Sequence, residues 1–179
     1  MSLNNVMMAG NMENAHKHFE NEVKDAEKVK IGIVVSRWND HITNALLEGS
    51  KETLIEQGIK AENIEVIYVP GSFELPYGAR LLLSNGSKDA IICLGCVIKG
   101  ETDHDVYINY STALGIQQLS LSSGKPVVFG VLTPNNEQQA LDRAGGRLGN
   151  KGIEAALTVL SLVGLNQKYK NTKSTIGFS

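Results

Sequence analysis

Cysteine is scarce in this sequence: Cys93 and Cys96 are the only two, too few to make a disulfide framework. An excess of either charge is missing as well. Nineteen acidic residues against seventeen basic ones leave a formal net charge of -2, so no global positive field can hold nucleic acid or an anionic membrane, and any anion has to be bound locally. No apolar run is long enough for a bilayer span. The longest, around Ala90 to Ile98, is broken by Gly95. The amino terminus lacks a basic stretch followed by an apolar core, so no signal peptide is expected and the chain reads as cytoplasmic. Neither GxxxxGK[ST] nor GxGxxG follows a predicted strand, which removes support from nucleoside triphosphate hydrolysis and dinucleotide binding.

What remains suffices for one folded domain: 179 residues, 42% hydrophobic and 20% charged. Residues 1–29 are polar without sustained periodicity and read as an N-terminal extension, in which Glu13 to Lys30 has the composition of a mixed-charge helix. The domain is expected over residues 30–165, followed by a polar tail over 166–179. Within it, strands are predicted at Ile31 to Val35, Ile64 to Val69, Ala90 to Ile98 and Pro126 to Leu132. Helical periodicity fills the intervals, with Gly58 and Gly124 as terminators. Beyond Thr133-Pro134 the pattern is helical, is interrupted at Gly145-Gly146 and Gly149, and resumes at Ile153. Such alternation predicts a three-layer α/β/α sandwich with a four-stranded parallel sheet, flavodoxin-like.

Ligands of such sheets bind beyond the carboxyl ends of the strands. Four segments are therefore expected to meet there: Ser36 to Asp40, Pro70 to Glu74, Lys99 to His104 and Leu132 to Asn135. Lys99-Gly100-Glu101-Thr102-Asp103-His104 leads from a buried strand into a helix start, where unpaired backbone N–H groups and the helix dipole suit a phosphate; Thr102 or Asp103 acting only as a helix cap is the plainer alternative. A histidine in the position of His104 can move protons there, or be a plain surface residue. Trp38, the only tryptophan, can stack on a flat heteroaromatic ring or wedge against a neighbouring loop. In Ser72-Phe73-Glu74 the carboxylate can accept from sugar-like hydroxyls or cap the next helix. Cys93 and Cys96 form a C-x-x-C pattern, but residues three apart on a strand face opposite sides, so both read as core. Arg143 carries the forked charge that suits phosphate, or makes a surface ion pair. His16, His18 and His41 read as solvated, with no metal-ligand spacing.

Taken together, Ser36-Arg37-Trp38-Asn39, Pro70-Gly71-Ser72-Phe73-Glu74-Leu75-Pro76, Val97 to His104, Phe129 to Thr133, Arg143-Ala144-Gly145 and Gly149-Asn150-Lys151-Gly152 closely resemble the 6,7-dimethyl-8-ribityllumazine synthases of riboflavin biosynthesis. The resemblance spans about Lys30 to Val163. It implies condensation of 5-amino-6-(D-ribitylamino)uracil with L-3,4-dihydroxy-2-butanone 4-phosphate, with no metal or organic cofactor. It implies that Trp38 stacks on the pyrimidine, that Ser72, Phe73 and Glu74 hold the ribityl chain and ring edge, and that Val97 and Ile98 offer backbone contacts. Glu101 and Thr102 would cradle the phosphate, His104 would transfer protons, and Arg143 and Phe129 would come from an adjacent subunit.

The implied partners are the two substrates, further copies of the chain in pentamers or a 60-subunit icosahedral shell, and riboflavin synthase as a functional partner. Asp105 stands where many relatives carry an aromatic residue, Val106 where an acid is frequent, and Tyr110-Ser111 replace a frequent Asn-Glu pair. Those departures motivate an alternative reading, a lumazine- or flavin-binding paralogue with little catalytic activity.

Overall fold

The structure, a computed structural model, describes residues 23–85 and 87–172. Its centre is an all-parallel sheet of β1 (Ile31–Ser36), β2 (Ile64–Val69), β3 (Ala90–Cys96) and β4 (Val127–Leu132), in the spatial order β2-β1-β3-β4. The inner strands β1 and β3 are buried along their whole length, which is why they read as unbroken apolar runs rather than as alternating ones.

Among the described residues there are five α-helices: α1 (Asp40–Glu56), α2 (Leu75–Asn85), α3 (His104–Ser123), α4 (Glu137–Asp142) and α5 (Lys151–Thr172). Helices α1 and α5 cover one sheet face, in a core that includes Ile33, Val35, Leu46, Ile92 and Val159. On the other face α2 and α3 pack around Val34, Leu75, Ala79, Ile91 and Ile116. The predicted three-layer sandwich is therefore present. Pairing runs Ser36 to Val69 and Cys96 to Leu132, so the carboxyl ends of the strands lie level. From β1 the chain steps outward to β2, then crosses back to lay β3 on the opposite side of β1, and the loops leaving β1 and β3 diverge at that switch.

Strand β3 stops at Cys96, two residues before the predicted end. Asn39 Nδ2 donates to the Cys96 carbonyl at 3.0 Å, which caps the ladder, while Val97 and Lys99 donate onward to the carbonyls of Leu132 and Pro134. The glycines read as a helix interruption form a short antiparallel ribbon, β5 (Ala144–Gly146) with β6 (Gly149–Asn150). Gly145 and Gly149 both adopt positive φ there, 110° and 82°, a conformation that favours glycine.

At the amino end the described chain is packed on the domain from its first residues. Ala26–Lys28 form a 3-10 turn, Val29 is buried, and Lys24 and Gln167 exchange two hydrogen bonds through the Lys24 backbone. The mixed-charge helix expected over Glu13 to Lys30 is thus absent from its described part, and its beginning, with His16 and His18, lies outside the described residues. Helix α5 runs through Thr172, well into the stretch read as a tail; the Lys24–Gln167 clasp is one physical reason. No described helix is long and apolar enough to cross a membrane.

Candidate active site

An open cavity of about 680 Å3 lies at the switch point, lined by Trp38, Asn39, Gly71, Ser72, Phe73, Glu74, Cys96, Val97, Ile98, His104 and Ile108. Three of the four strand-end segments expected to meet contribute to it.

Trp38 follows β1 and is held by its backbone, whose N–H donates to the Pro70 carbonyl at 3.2 Å. Its ring is 71% exposed with one edge beside Gly71. Contact with a neighbouring loop, the plainer alternative, is thus present along that edge, while most of the residue is left open. Asn39 adopts the left-handed conformation, φ 59°, which turns the chain sharply into α1 and frees its amide to reach β3. Ser72 to Glu74 form a 3-10 turn ahead of α2. Glu74 Oε2 accepts from the Gly71 N–H at 2.9 Å, so the carboxylate serves as a turn cap while also lining the cavity. Thr112 on α3 donates to the Ser72 carbonyl at 3.0 Å and fixes the turn from behind. A Cβ on Gly95 would lie 2.6 Å from Ser72 Oγ, so only glycine lets this turn sit down on β3. The hydroxyls of Ser36 and Ser72 are sealed from solvent without a hydrogen-bond partner.

His104 opens α3 and is exposed at the cavity wall, with Ile108 one turn later on the same helix face. Asp103 precedes the helix without a side-chain capping bond. Its carbonyl accepts from the Val106 and Tyr107 N–H groups, which leaves the N–H groups of His104 and Asp105 at the helix start without an intrahelical acceptor. Glu101 and Thr102 are exposed on this loop, outside the cavity lining, and Gly100 has open space where a Cβ would be. Asp105 is half-buried, with Oδ1 sealed and unpartnered; Asn109 Oδ1, one turn on, is in the same state.

Arg143 and Phe129 do not line this cavity. Phe129 lies mid-strand on β4, half-buried against the layer of α2 and α3. Arg143 follows α4 and lines a second cavity of about 440 Å3, with Leu132, Thr133, Pro134, Arg147 and Lys151 among its walls. The fourth strand-end segment thus faces this second space. Arg143 Nη2 is 2.9 Å from Glu154 Oε1, and Nη1 donates to the Leu148 carbonyl at 3.0 Å.

Cys93 faces the α2 and α3 layer and Cys96 the α1 and α5 layer, so the C-x-x-C sulfurs are on opposite sides of the sheet. Both are free thiols. Burial raises the Cys93 pKa far above the usual thiol range and pushes Cys96 up to about 11, which keeps both un-ionised near neutral pH. His41, read as solvated, is half-exposed and within 2.9 Å of Glu137 Oε1.

Residues 28–167 match the family model for 6,7-dimethyl-8-ribityllumazine synthase. A protein of that name from Phocaeicola vulgatus is 45% identical over 166 residues, covering 93% of this chain and 99% of the relative. Another from Parabacteroides distasonis is 48% identical, covering 87% and 98%, and one from Bacteroides fragilis is 50% identical, covering 75% and 94%. The chain belongs to the 6,7-dimethyl-8-ribityllumazine synthase family.

Within this lumazine synthase fold the residues singled out from the sequence fall into three places. Trp38, Ser72, Phe73, Glu74, Val97, Ile98 and His104 line one cavity, Glu101 and Thr102 sit on the loop beside it, and Phe129 and Arg143 lie elsewhere on the chain. Asn39 and Ile108 also line the cavity but were not singled out, and Cys96, read as core, lines it as well. Ile108 is legible as the position one helical turn after His104, and Asn39 as a residue tolerant of the left-handed conformation at a strand end. Gly149 to Lys151 proves to be a joint between helices: Asn150 Nδ2 donates to the Ala45 carbonyl and Ser50 Oγ to the Gly152 carbonyl.

Proposed function

We propose that this chain condenses 5-amino-6-(D-ribitylamino)uracil with L-3,4-dihydroxy-2-butanone 4-phosphate, giving 6,7-dimethyl-8-ribityllumazine, phosphate and water in riboflavin biosynthesis. The observation that carries this reading is the single cavity at the strand-order switch, where an exposed tryptophan, a Ser72–Glu74 turn and a helix-opening histidine converge in a chain of this family.

The pyrimidine stacks on Trp38, whose large exposed ring offers a flat apolar surface. Its polar edge meets the backbone of Val97 and Ile98, and the ribityl hydroxyls meet Ser72, Phe73 and Glu74. The phosphate sits at the start of α3, against the loop of Glu101 and Thr102, where the helix dipole and unpaired N–H groups favour an anion. The ring amine attacks the ketone and water leaves as the imine forms. Loss of the proton at C3 then expels phosphate from C4, the resulting enol tautomerises to a ketone, and the second amine adds to that carbonyl and closes the ring with loss of a second water. His104 moves protons between these stages, a task for which an imidazole at the cavity wall has both a donor and an acceptor nitrogen. Holding both reactants together supplies much of the acceleration. The phosphate leaves towards the positive helix terminus, which stabilises the developing charge.

The open cavity is completed in this reading by Phe129 and Arg143 of a neighbouring copy. Supporting it, α3 exposes Tyr107, Tyr110, Leu114 and Leu121 at helical spacing, and α2 exposes Tyr77 and Leu81, large apolar side chains of the kind that mark a protein interface. We assign this surface to a homopentamer, with the 60-subunit shell as its larger assembly, in the cytoplasm, and with riboflavin synthase taking up the product. Mixing the purified protein with both substrates and following lumazine fluorescence tests the chemistry. Product should form faster than in the uncatalysed mixture; equal rates would contradict the proposal.

A further inference from the structure

We propose that Glu154 is the positioning residue that holds Arg143 for the phosphate substrate, and that Lys151 keeps the resulting pair cationic. This deepens the assignment of Arg143 to phosphate binding and rests on it.

Glu154 lies in the first turn of α5 with its side chain only 13% exposed. Its two carboxylate oxygens take one cation each: Oε1 is 2.9 Å from Arg143 Nη2, and Oε2 accepts from Lys151 Nζ at 2.9 Å. Arg143 and Lys151 both line the 440 Å3 cavity, but Glu154 does not. The carboxylate therefore stands behind the wall, and the two cations stand in it. Arginine carries five N–H donors in a rigid fork. Nη1 is hydrogen-bonded to the Leu148 carbonyl, and Nη2 is in ion-pair contact with Glu154 Oε1, which accepts no hydrogen bond; one directional bond and one charge contact thus hold the guanidinium and leave its other donors for a ligand.

A one-to-one Arg143–Glu154 pair would cancel the charge that attracts a phosphate. Lys151 on the other oxygen leaves the trio with one net positive charge, so orientation and attraction are both kept. The backbone under the trio is also fixed, because Asn150 Oδ1 accepts from the Gly152 N–H at 2.7 Å while its amide holds the Ala45 carbonyl. The α5 turn carrying Lys151 and Glu154 is thereby tied to α1.

Titration of inorganic phosphate into the assembled protein, followed calorimetrically, tests this without requiring turnover. Glu154→Gln should weaken phosphate binding by roughly tenfold and raise KM for the butanone phosphate by a similar factor, with kcat and the pyrimidine KM changed by less than about twofold. The double variant Glu154→Gln/Lys151→Gln has the same net charge as the wild-type trio, while Arg143 loses its carboxylate partner. It should still lose affinity, because orientation is gone while charge is kept; wild-type affinity in this variant would overturn the proposal. In an Arg143→Ala background Glu154→Gln should add nothing, and an additive loss would show that Glu154 acts elsewhere. If no lumazine forms at all, the proposed reaction fails, yet the phosphate series still decides the role of Glu154.

Discussion

Cys93 and Cys96 show how a short motif is decided by the element that carries it. On a helix the same C-x-x-C spacing would bring two sulfurs to one face; on β3 it sends them into opposite layers. The strand reading was available from the apolar residues around the pair, and so was the conclusion that neither is a redox centre. The fold holds both thiols neutral, with Cys96 raised from 9.0 to about 11. In the unfolded chain the thiol ionises first as pH rises, so the stabilisation is complete below about pH 8 and is lost between about pH 9 and 11. Urea midpoints should therefore fall across that range, and the fall should be shallower in Cys96→Ala; equal slopes would contradict the assignment. Asn39 and Glu154 were not legible in the same way. Asn39 acts through its backbone twist and one bond to the Cys96 carbonyl, and Glu154 through partners that the fold alone brings together.

Among the elements, the four strands and the long helices were readable because burial on two faces or on one stripe imprints a period on the residues. The β5–β6 ribbon is three residues against two and carries no period to read. The carboxyl end of α5 was missed for the opposite reason: its residues from Asn166 onward are polar, and the Lys24–Gln167 bonds are long-range. The joint between α1 and α5 is the most constrained place in the layer. A Cβ on Gly152 would run into the Leu46 carbonyl, and one on Gly49 would lie 2.7 Å from Asn150 Nδ2. Backbone on the receiving side cannot give way as a flexible side chain can. Gly152→Ala should therefore lower stability by at least about 2 kcal/mol, visible as a reduced thermal midpoint with the parallel sheet still formed. A midpoint within experimental scatter of wild type would mean that the two helices slide apart freely.

For the whole molecule, the sandwich and the place of the cavity followed from strand alternation and the binding rule for parallel sheets. The division of the candidate site was implied by the family resemblance alone. Nothing in the periodicity of β4 or α4 says that Phe129 and Arg143 lie away from the cavity lined by Trp38 and His104, because that separation is a property of three-dimensional packing. The exposed stripe on α3 was likewise concealed, since apolar residues lie on both its inner and outer faces. Leu114, 56% exposed in the middle of that stripe, gives the test of assembly. Leu114→Glu places a charge where a neighbour is expected to pack and should shift light scattering towards the monomer with little change in the fold. An unchanged mass would remove the stripe from the interface.

The central claim is that each catalytic site combines His104 of one copy with Arg143 of the next, and subunit mixing measures this directly. His104→Ala should slow turnover and Arg143→Ala should raise KM for the butanone phosphate, so each alone is nearly inactive at low substrate. Unfolding the two variants together in equal amounts and refolding them at random should restore up to about one quarter of wild-type activity, the fraction of head-to-tail neighbours that supply both intact residues. Activity no higher than the average of the separately refolded variants would contradict the shared site.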